Sequence, residues 1–543
     1  MRTLSPRRRR PLIAAAILAC LSSLASPAET TARDRELGTI SFPNSGSAAA
    51  QDAFLRGVLL LHSFEYMDAA DAFREAQAID PGFALAYWGE AMTHHHPIWQ
   101  EEDLAAARAV LQRLAPTAAE RRARAGSERE QGLLDSLETL LGPGPRPERR
   151  RAYGDALAAL QARFPDDLEV ASFHALSLLG LSFGVRDVPS YMRAAAIAEE
   201  VQARNPRHPG ALHYLIHAYD DPVHAPLGLR FARLYGQVAP AAAHALHMPA
   251  HIYFALGMWE DSAAANEASI AAAEARRVRK GLGVKAKGLH SIAWLAYTYL
   301  QQGKFDRART LLTQMQADAE ASGELSVRFH LAVMKAAHAV ATGEATAGRP
   351  LAIKVRTDDL ALYVSAGDHL VEGLAAARAG DLLAARALLQ TMRDESSRVS
   401  AADAEAVHAG CAPIVSRYSA TDPPGRQAAL VMAEELAGFI QLREGKPEES
   451  VRTLRQATVL EDAMDFDFGP PQVVKPAHEL LGEVLLELDR PAEAETAFAA
   501  ALARAPGRTL AIQGRSRAAA LEGRPQVADA DDPILRETRR GRP

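Results

Sequence analysis

Between His213 and His251 the chain reads HYLIHAYDDPVHAPLGLRFARLYGQVAPAAAHALHMPAH, and six of these 39 residues are histidine, against 18 in all 543. The six are His213, His217, His224, His244, His247 and His251. Spacing says more than number. His213 and His217 stand four apart, and His244, His247 and His251 follow an i, i+3, i+7 pattern. On an α-helix each set occupies one face. Imidazoles one helical turn apart chelate transition metals, and neutral nitrogen donors suit copper, zinc or iron rather than calcium. The plainer reading of His213 and His217 is polar lining of a groove with no ion. His224 falls in a loop after Asp220-Asp221-Pro222.

Other chemistries lack their signatures. No glycine-rich phosphate loop stands at a strand-to-helix junction, and no G-x-S-x-G elbow occurs. HELLGE at His478–Glu483 lacks the second histidine of a zincin protease. Cys411 reads as an inert thiol in a loop.

The elements that must carry the histidines are helices. The chain is rich in alanine, 48% hydrophobic and only 6% aromatic, with few β-branched runs. It also repeats. Gly57, Ala69, Phe73, Ala76 and Pro81 have the same spacing as Gly482, Ala494, Phe498, Ala501 and Pro506. Weaker copies centre on Gly303, Ala308, Leu312 and Met315, on Gly380, Ala385, Leu389 and Met392, and on Gly438, Gly445, Leu454 and Ala457. Small residues let antiparallel helices approach, the large apolar residue fills the gap between hairpins, and proline ends the second helix.

This pattern resembles the tetratricopeptide repeat (TPR) family over most of the chain. The resemblance implies an all-α, right-handed superhelical solenoid of helix hairpins, with repeats beginning near Ala175, Pro209 and Ala243. It implies that ligand contacts fall at the second, fifth and ninth places of a repeat, on the concave face. His213 and His217 take the fifth and ninth places from Pro209; His244, His247 and His251 take the second, fifth and ninth from Ala243. Both sets are then expected to face one groove from adjacent helices and to share an ion. His290 opens the next repeat in line with His244. Glu479 and Glu483 take the fifth and ninth places of a C-terminal repeat and are expected to complete the shell if the superhelix closes on itself. His94, His95 and His96, before Pro97, are expected near the groove, with His94 and His96 as candidate ligands. Asn266 and Ser262 stand where the family prefers apolar residues, a sign that the interior there serves a site. His62, His174, His330, His338 and His369 read as packing or surface residues, and Trp88, Trp99, Trp259 and Trp294 as hairpin packing.

The first 28 residues read as a bacterial export signal: Arg7–Arg10, an apolar run from Leu12 to Leu24, and small residues at Ala25, Ser26 and Ala28. Leu18-Ala19-Cys20 matches a lipoprotein site loosely, so a lipid anchor at Cys20 is a minor expectation. Removing this segment takes away five arginines and no acids, so a formal charge of −6 becomes −11. A mildly acidic, periplasmic or secreted chain with no transmembrane anchor suits neither nucleic acid nor an anionic membrane surface. The expected order is a flexible lead (29–48), N-terminal repeats (49–115), a charged helix and Pro/Gly linker (116–150), central repeats with the histidine-lined groove (151–276), a basic insertion (277–288), C-terminal repeats (289–523) and a disordered tail (524–543), with a loop at 400–426. Two functions stay open. One is a binding scaffold that holds a protein or peptide in its concave groove and carries the histidine site. The other is a metal-dependent enzyme, redox or hydrolytic, built on the solenoid.

Overall fold

The computed structural model describes residues 34–182, 186–347, 352–408, 423–466 and 468–524. The expectations for the export signal, Cys20, Cys411 and most of the tail lie outside these residues. Apart from a two-residue pairing of His95–His96 with Glu101–Glu102, the described elements are helices. Successive helices pack as antiparallel hairpins along an all-α solenoid: Gln51–His62 with Tyr66–Ile79, Pro209–Ala218 with Ala225–Val238, Leu289–Gln301 with Phe305–Ser322, Ala477–Glu487 with Pro491–Arg504.

The repeat signature has a steric cause. The ring of Phe73 lies between Gly57 and Gly89, where an added Cβ would come within 2.7 and 2.3 Å of it. Phe498 lies in the same way between Gly482 and Gly514, at 2.7 and 2.3 Å. Two helices can close on one phenyl ring only where neither carries a side chain.

Several connecting segments are more ordered than their composition suggests. Thr39 pairs with Arg207, Phe42 is buried, and Ser45 donates to Glu130, so residues 38–45 are packed against the repeats rather than forming a flexible lead. Where a linker is expected, residues 116–150 hold the helices Ala118–Arg124 and Glu128–Leu140 and the start of Arg146–Arg163. Arg149 is buried there against Glu102 and the Leu140 carbonyl, so the arginine-rich run is an interior surface. Helix reaches His408 and restarts at Pro423 within the stretch expected to be loop.

One core runs from Leu37 to Tyr253 and a second from Trp259 to Ala518. The solenoid closes on itself at their junction. Gly257 and Gly507, both at positive φ (+68° and +77°), touch backbone to backbone, and a Cβ on either would meet the other chain at 2.7–2.8 Å. Trp259 Nε1–H donates to the Gly507 carbonyl at 2.9 Å, and Thr509 bonds both the side chain and the carbonyl of Gln301. The last hairpin is thus fixed onto the middle of the chain.

Candidate metal centre

Helix starts place the histidines. His208 caps Pro209–Ala218 by accepting the Ala211 N–H at 3.1 Å, and Pro209 supplies a preset first turn. That sets His213 and His217 one turn apart on a buried face. Glu65, from the first hairpin, accepts the N–H of His244 at the start of Ala243–His247. Pro249 lacks an N–H, so a new helix, Pro249–Ala255, begins there and the expected single helix is broken in two.

The histidines fall into two trios. His213, His217 and His244 form one; His247, His251 and His290 form the other. In each, three ligand atoms lie within 4.8 Å of one another. The trios adjoin: ring centroids of His217 and His251 are 5.6 Å apart, and those of His244 and His247 6.0 Å. The expectation of one shared ion is therefore replaced by two neighbouring three-imidazole sets, with His290 a full member of the second.

Hydrogen bonds fix which nitrogens face inward. His213 Nδ1–H donates to the His62 carbonyl at 2.7 Å. His247 Nδ1 meets Asn266 Oδ1 at 2.7 Å, and Asn266 spends its own N–H on the Ser262 carbonyl, so its oxygen must accept from His247. His251 Nδ1–H donates to Asp220 Oδ2 at 2.5 Å. In all three rings Nδ1 is engaged away from the site, which leaves Nε2 facing inward. The Nε2 atoms of His247 and His251 face each other at 3.1 Å. That contact is itself a hydrogen bond when one of the two nitrogens carries a proton, and the separation equally suits two imidazoles on one ion with bonds of ~2.0–2.1 Å. In the first trio, Nε2 of His213, His217 and His244 is buried in each case with no hydrogen-bond partner. An unsatisfied buried acceptor costs ~1–3 kcal/mol. Burial, followed by the neighbouring imidazoles, holds all three rings well below the usual histidine range, in the neutral form that binds metal.

Aromatic rings wall both sets. Phe64 lies 4.2 Å from His213, and Trp99 lies 5.6 Å from His244. Phe64 is held at φ 55°, a strained setting for a bulky side chain that turns its ring over the histidines. Trp294 lies 4.4 Å from His251 and 5.0 Å from His247, with Phe468 beside His251 at 5.4 Å. Gly469, at φ +87°, sits so close to Trp294 that a Cβ there would come within 2.3 Å of the indole. Trp99 and Trp294 thus wall the histidines rather than only packing hairpins.

The other candidate ligands are elsewhere. Glu479 is fully buried between Arg508 (2.5 and 3.1 Å) and Lys475 (2.9 Å), and Glu483 also pairs with Lys475. Closure of the solenoid brings this cluster to Tyr297, whose hydroxyl accepts from Arg508 at 2.5 Å, and not to the imidazoles. Burial raises the Glu479 carboxyl, but Arg508 and Lys475 outweigh it and hold the group at about 2. His96 stacks on Tyr66 at 3.9 Å and donates Nε2–H to the Thr93 carbonyl; neither it nor His94 belongs to a trio. His224 is clamped by Asp221 at 2.7 Å.

A third cluster, His62, Glu169 and His208, shows the contrast. Glu169 takes His62 Nε2 at 2.8 Å and His208 Nε2 at 3.1 Å; His62 Nδ1 meets the Tyr214 hydroxyl. Both nitrogens of both rings are used within the protein, so this set is a satisfied hydrogen-bond network needing no ion. It also anchors the His62 carbonyl that orients His213.

Asp220 and Trp294 were not legible as site residues from spacing, though the polar Asn266 was a signal. An Asp220→Asn chain is expected to bind metal ~10–100-fold more weakly at the second trio, with the first unchanged. Competition with a chromophoric chelator measures this; equal affinity at the second trio would remove Asp220 from the arrangement.

No family model and no curated protein matches the chain. Among solved structures it is similar to a chain of the APC/C hetero-tetramer Cut9–Hcn1, at 14% identity and a TM-score of 0.36, over 88% of this chain and 78% of that one. It is similar to human IFIT1 in a dimer with m7Gppp-AAAA, at 12% identity and 0.36 over 92% and 91%. The P58(IPK) TPR domain is a further neighbour, at 14% identity and 0.21 over 88% and 99%. These are loose superpositions of long helical proteins.

Proposed function

We propose that this chain is a binuclear transition-metal protein, with one ion on His213, His217 and His244 and the second on His247, His251 and His290. The observation that carries this is the set of inward Nε2 atoms, three of them buried without a hydrogen-bond partner and two facing each other at 3.1 Å. Each ion would have three protein donors, which leaves a coordination position for a small exogenous molecule, the mark of a reactive rather than a storage site.

Copper fits best. Neither trio contains a carboxylate, so six neutral rings among aromatic walls would offset little ionic charge. The cost of burying an ion rises with its charge, which favours monovalent copper over divalent zinc or iron. With residues 1–28 read as an export signal, the centre works in the periplasm or outside the cell. His213, His217, His247 and His251 are at most 5% exposed, so the centre itself offers no peptide-docking surface. A polypeptide partner would meet the solenoid elsewhere.

The test is titration of metal-free protein, purified without a histidine tag, with Cu(I) and with Zn(II) under native mass spectrometry. Two equivalents of copper, retained against excess zinc, are expected. Substoichiometric binding of every metal overturns the reading.

A further inference from the structure

A cavity of ≈ 130 Å³ lies directly beside the second trio, with His251 in its wall. It sits where the closure brings three parts of the chain together: the Asp220–Pro222 turn, the Phe254–Trp259 region, and the segment from Glu461 to Arg508. Its apolar surface includes five aromatic rings, those of Phe254, Trp259, Tyr297, Phe466 and Phe468, beside prolines, alanines, Met464 and Val473. An apolar cavity of ~150 Å³ accepts benzene, so this one has room for a single six-membered ring.

The polar groups on the wall narrow the choice. Asp220 is used by His251, Asp221 by Arg186 and His224, and Arg508 by Glu479 and Tyr297. Arg504 lies over the Phe466 ring and donates to the Met464 carbonyl. Glu461 gives one oxygen to the Ala477 N–H, and burial raises its carboxyl toward the protonated form, able to donate as well as accept. Asp465 accepts the Arg186 N–H and Gln472 adds a neutral amide, so the wall favours an uncharged ring with one hydroxyl over an anion.

We propose that this cavity binds a one-ring phenolic compound, held edge-on to the metal ligand His251. Its role as the substrate site rests on the metal reading, but binding does not. A guest in this cavity would lie against the second trio through His251, and a volume of ≈ 130 Å³ suits a small free aromatic rather than a polymer.

The experiment is calorimetric and tryptophan-fluorescence titration of the metal-free full chain with phenol, cyclohexanol and benzoate. One phenol per chain is expected, with Kd near or below ~1 mM, and with cyclohexanol and benzoate at least ~10-fold weaker. Ala505→Leu, which enlarges a side chain of the cavity wall, should weaken phenol at least ~10-fold with melting temperature and metal content unchanged; Ala255→Leu serves if that variant misfolds. No saturable phenol binding, tighter benzoate binding, or indifference to both variants overturns the proposal. Metal content is measured on the same preparations. Phenol binding without metal uptake sinks the binuclear reading and leaves the cavity; metal uptake without phenol binding does the reverse.

Discussion

On the proposed binuclear reading, a His251→Ala chain is expected to hold one metal ion and the intact chain two. His251 supplies a donor to the second trio only, and His213, His217 and His244 form a complete set without it. Taking one of three donors from an ion is a larger loss than removing an orienting partner, which by itself costs ~10–100-fold. Affinity at the second trio should therefore fall more than ~100-fold. His217→Ala should empty the first trio and spare the second, and the double variant should bind neither ion. Native mass spectrometry reads all three. Heat stability should follow: an ion present at ~100 times its Kd adds ~2.7 kcal/mol, and each variant should forfeit that increment at one set. If His251→Ala and His217→Ala lose metal to the same degree from both sets, the two trios are one site and the binuclear reading fails.

The second large effect concerns the closure. Glu479→Gln leaves Arg508 and Lys475 buried with their main counter-charge removed. Breaking a buried pair in this way costs ~3–5 kcal/mol. The loss should be local, appearing as faster hydrogen exchange in Ala477–Glu487 and Thr509–Leu521. Glu479→Met with Arg508→Met should recover much of it, because apolar replacement removes both desolvation costs. Acid provides a second readout. The Glu479 carboxyl is held at about 2, below the usual 4.5. Its stabilisation is fully present above pH ~4.5 and is lost as the pH falls toward ~2. The difference in stability between the intact chain and Glu479→Gln should therefore shrink across that window. Glu169, held at about 2 between its two histidines, titrates alike in both chains and cancels. A difference constant from pH 6 to 3 would show that Glu479 is not carrying that charge.

The fold was legible because its cause is local. Gly57, Phe73, Gly482 and Phe498 announce the hairpins through spacing alone, and the same register predicts that His213, His217, His244, His247 and His251 converge. What spacing could not show was how they divide. Pro249 stands between His247 and His251, yet these two share a trio, whereas His244 and His247 on one short helix part: His244 joins the preceding hairpin's histidines and His247 joins His290 of the following one. Glu479 and Glu483 satisfied the same register and failed as ligands because buried cations, Lys475 and Arg508, claim them. Asp220 lay in plain view beside His224, but its service to His251 is a contact across 31 residues. Asn266 was the better clue, since a polar side chain at an apolar place must bond something nearby.

The junction of Gly257 with Gly507 bears on the order of assembly. Translation delivers the chain N-terminus first, so both imidazole sets emerge and can fold while the final hairpin is still unmade. Until that hairpin arrives, the flank of His251 lies open to ions from outside. Its docking then completes the wall beside His251, and a chain truncated before Pro506 is expected to lose the Gly257–Gly507 contact and, with it, the side of the cavity that Pro506 and Arg508 supply.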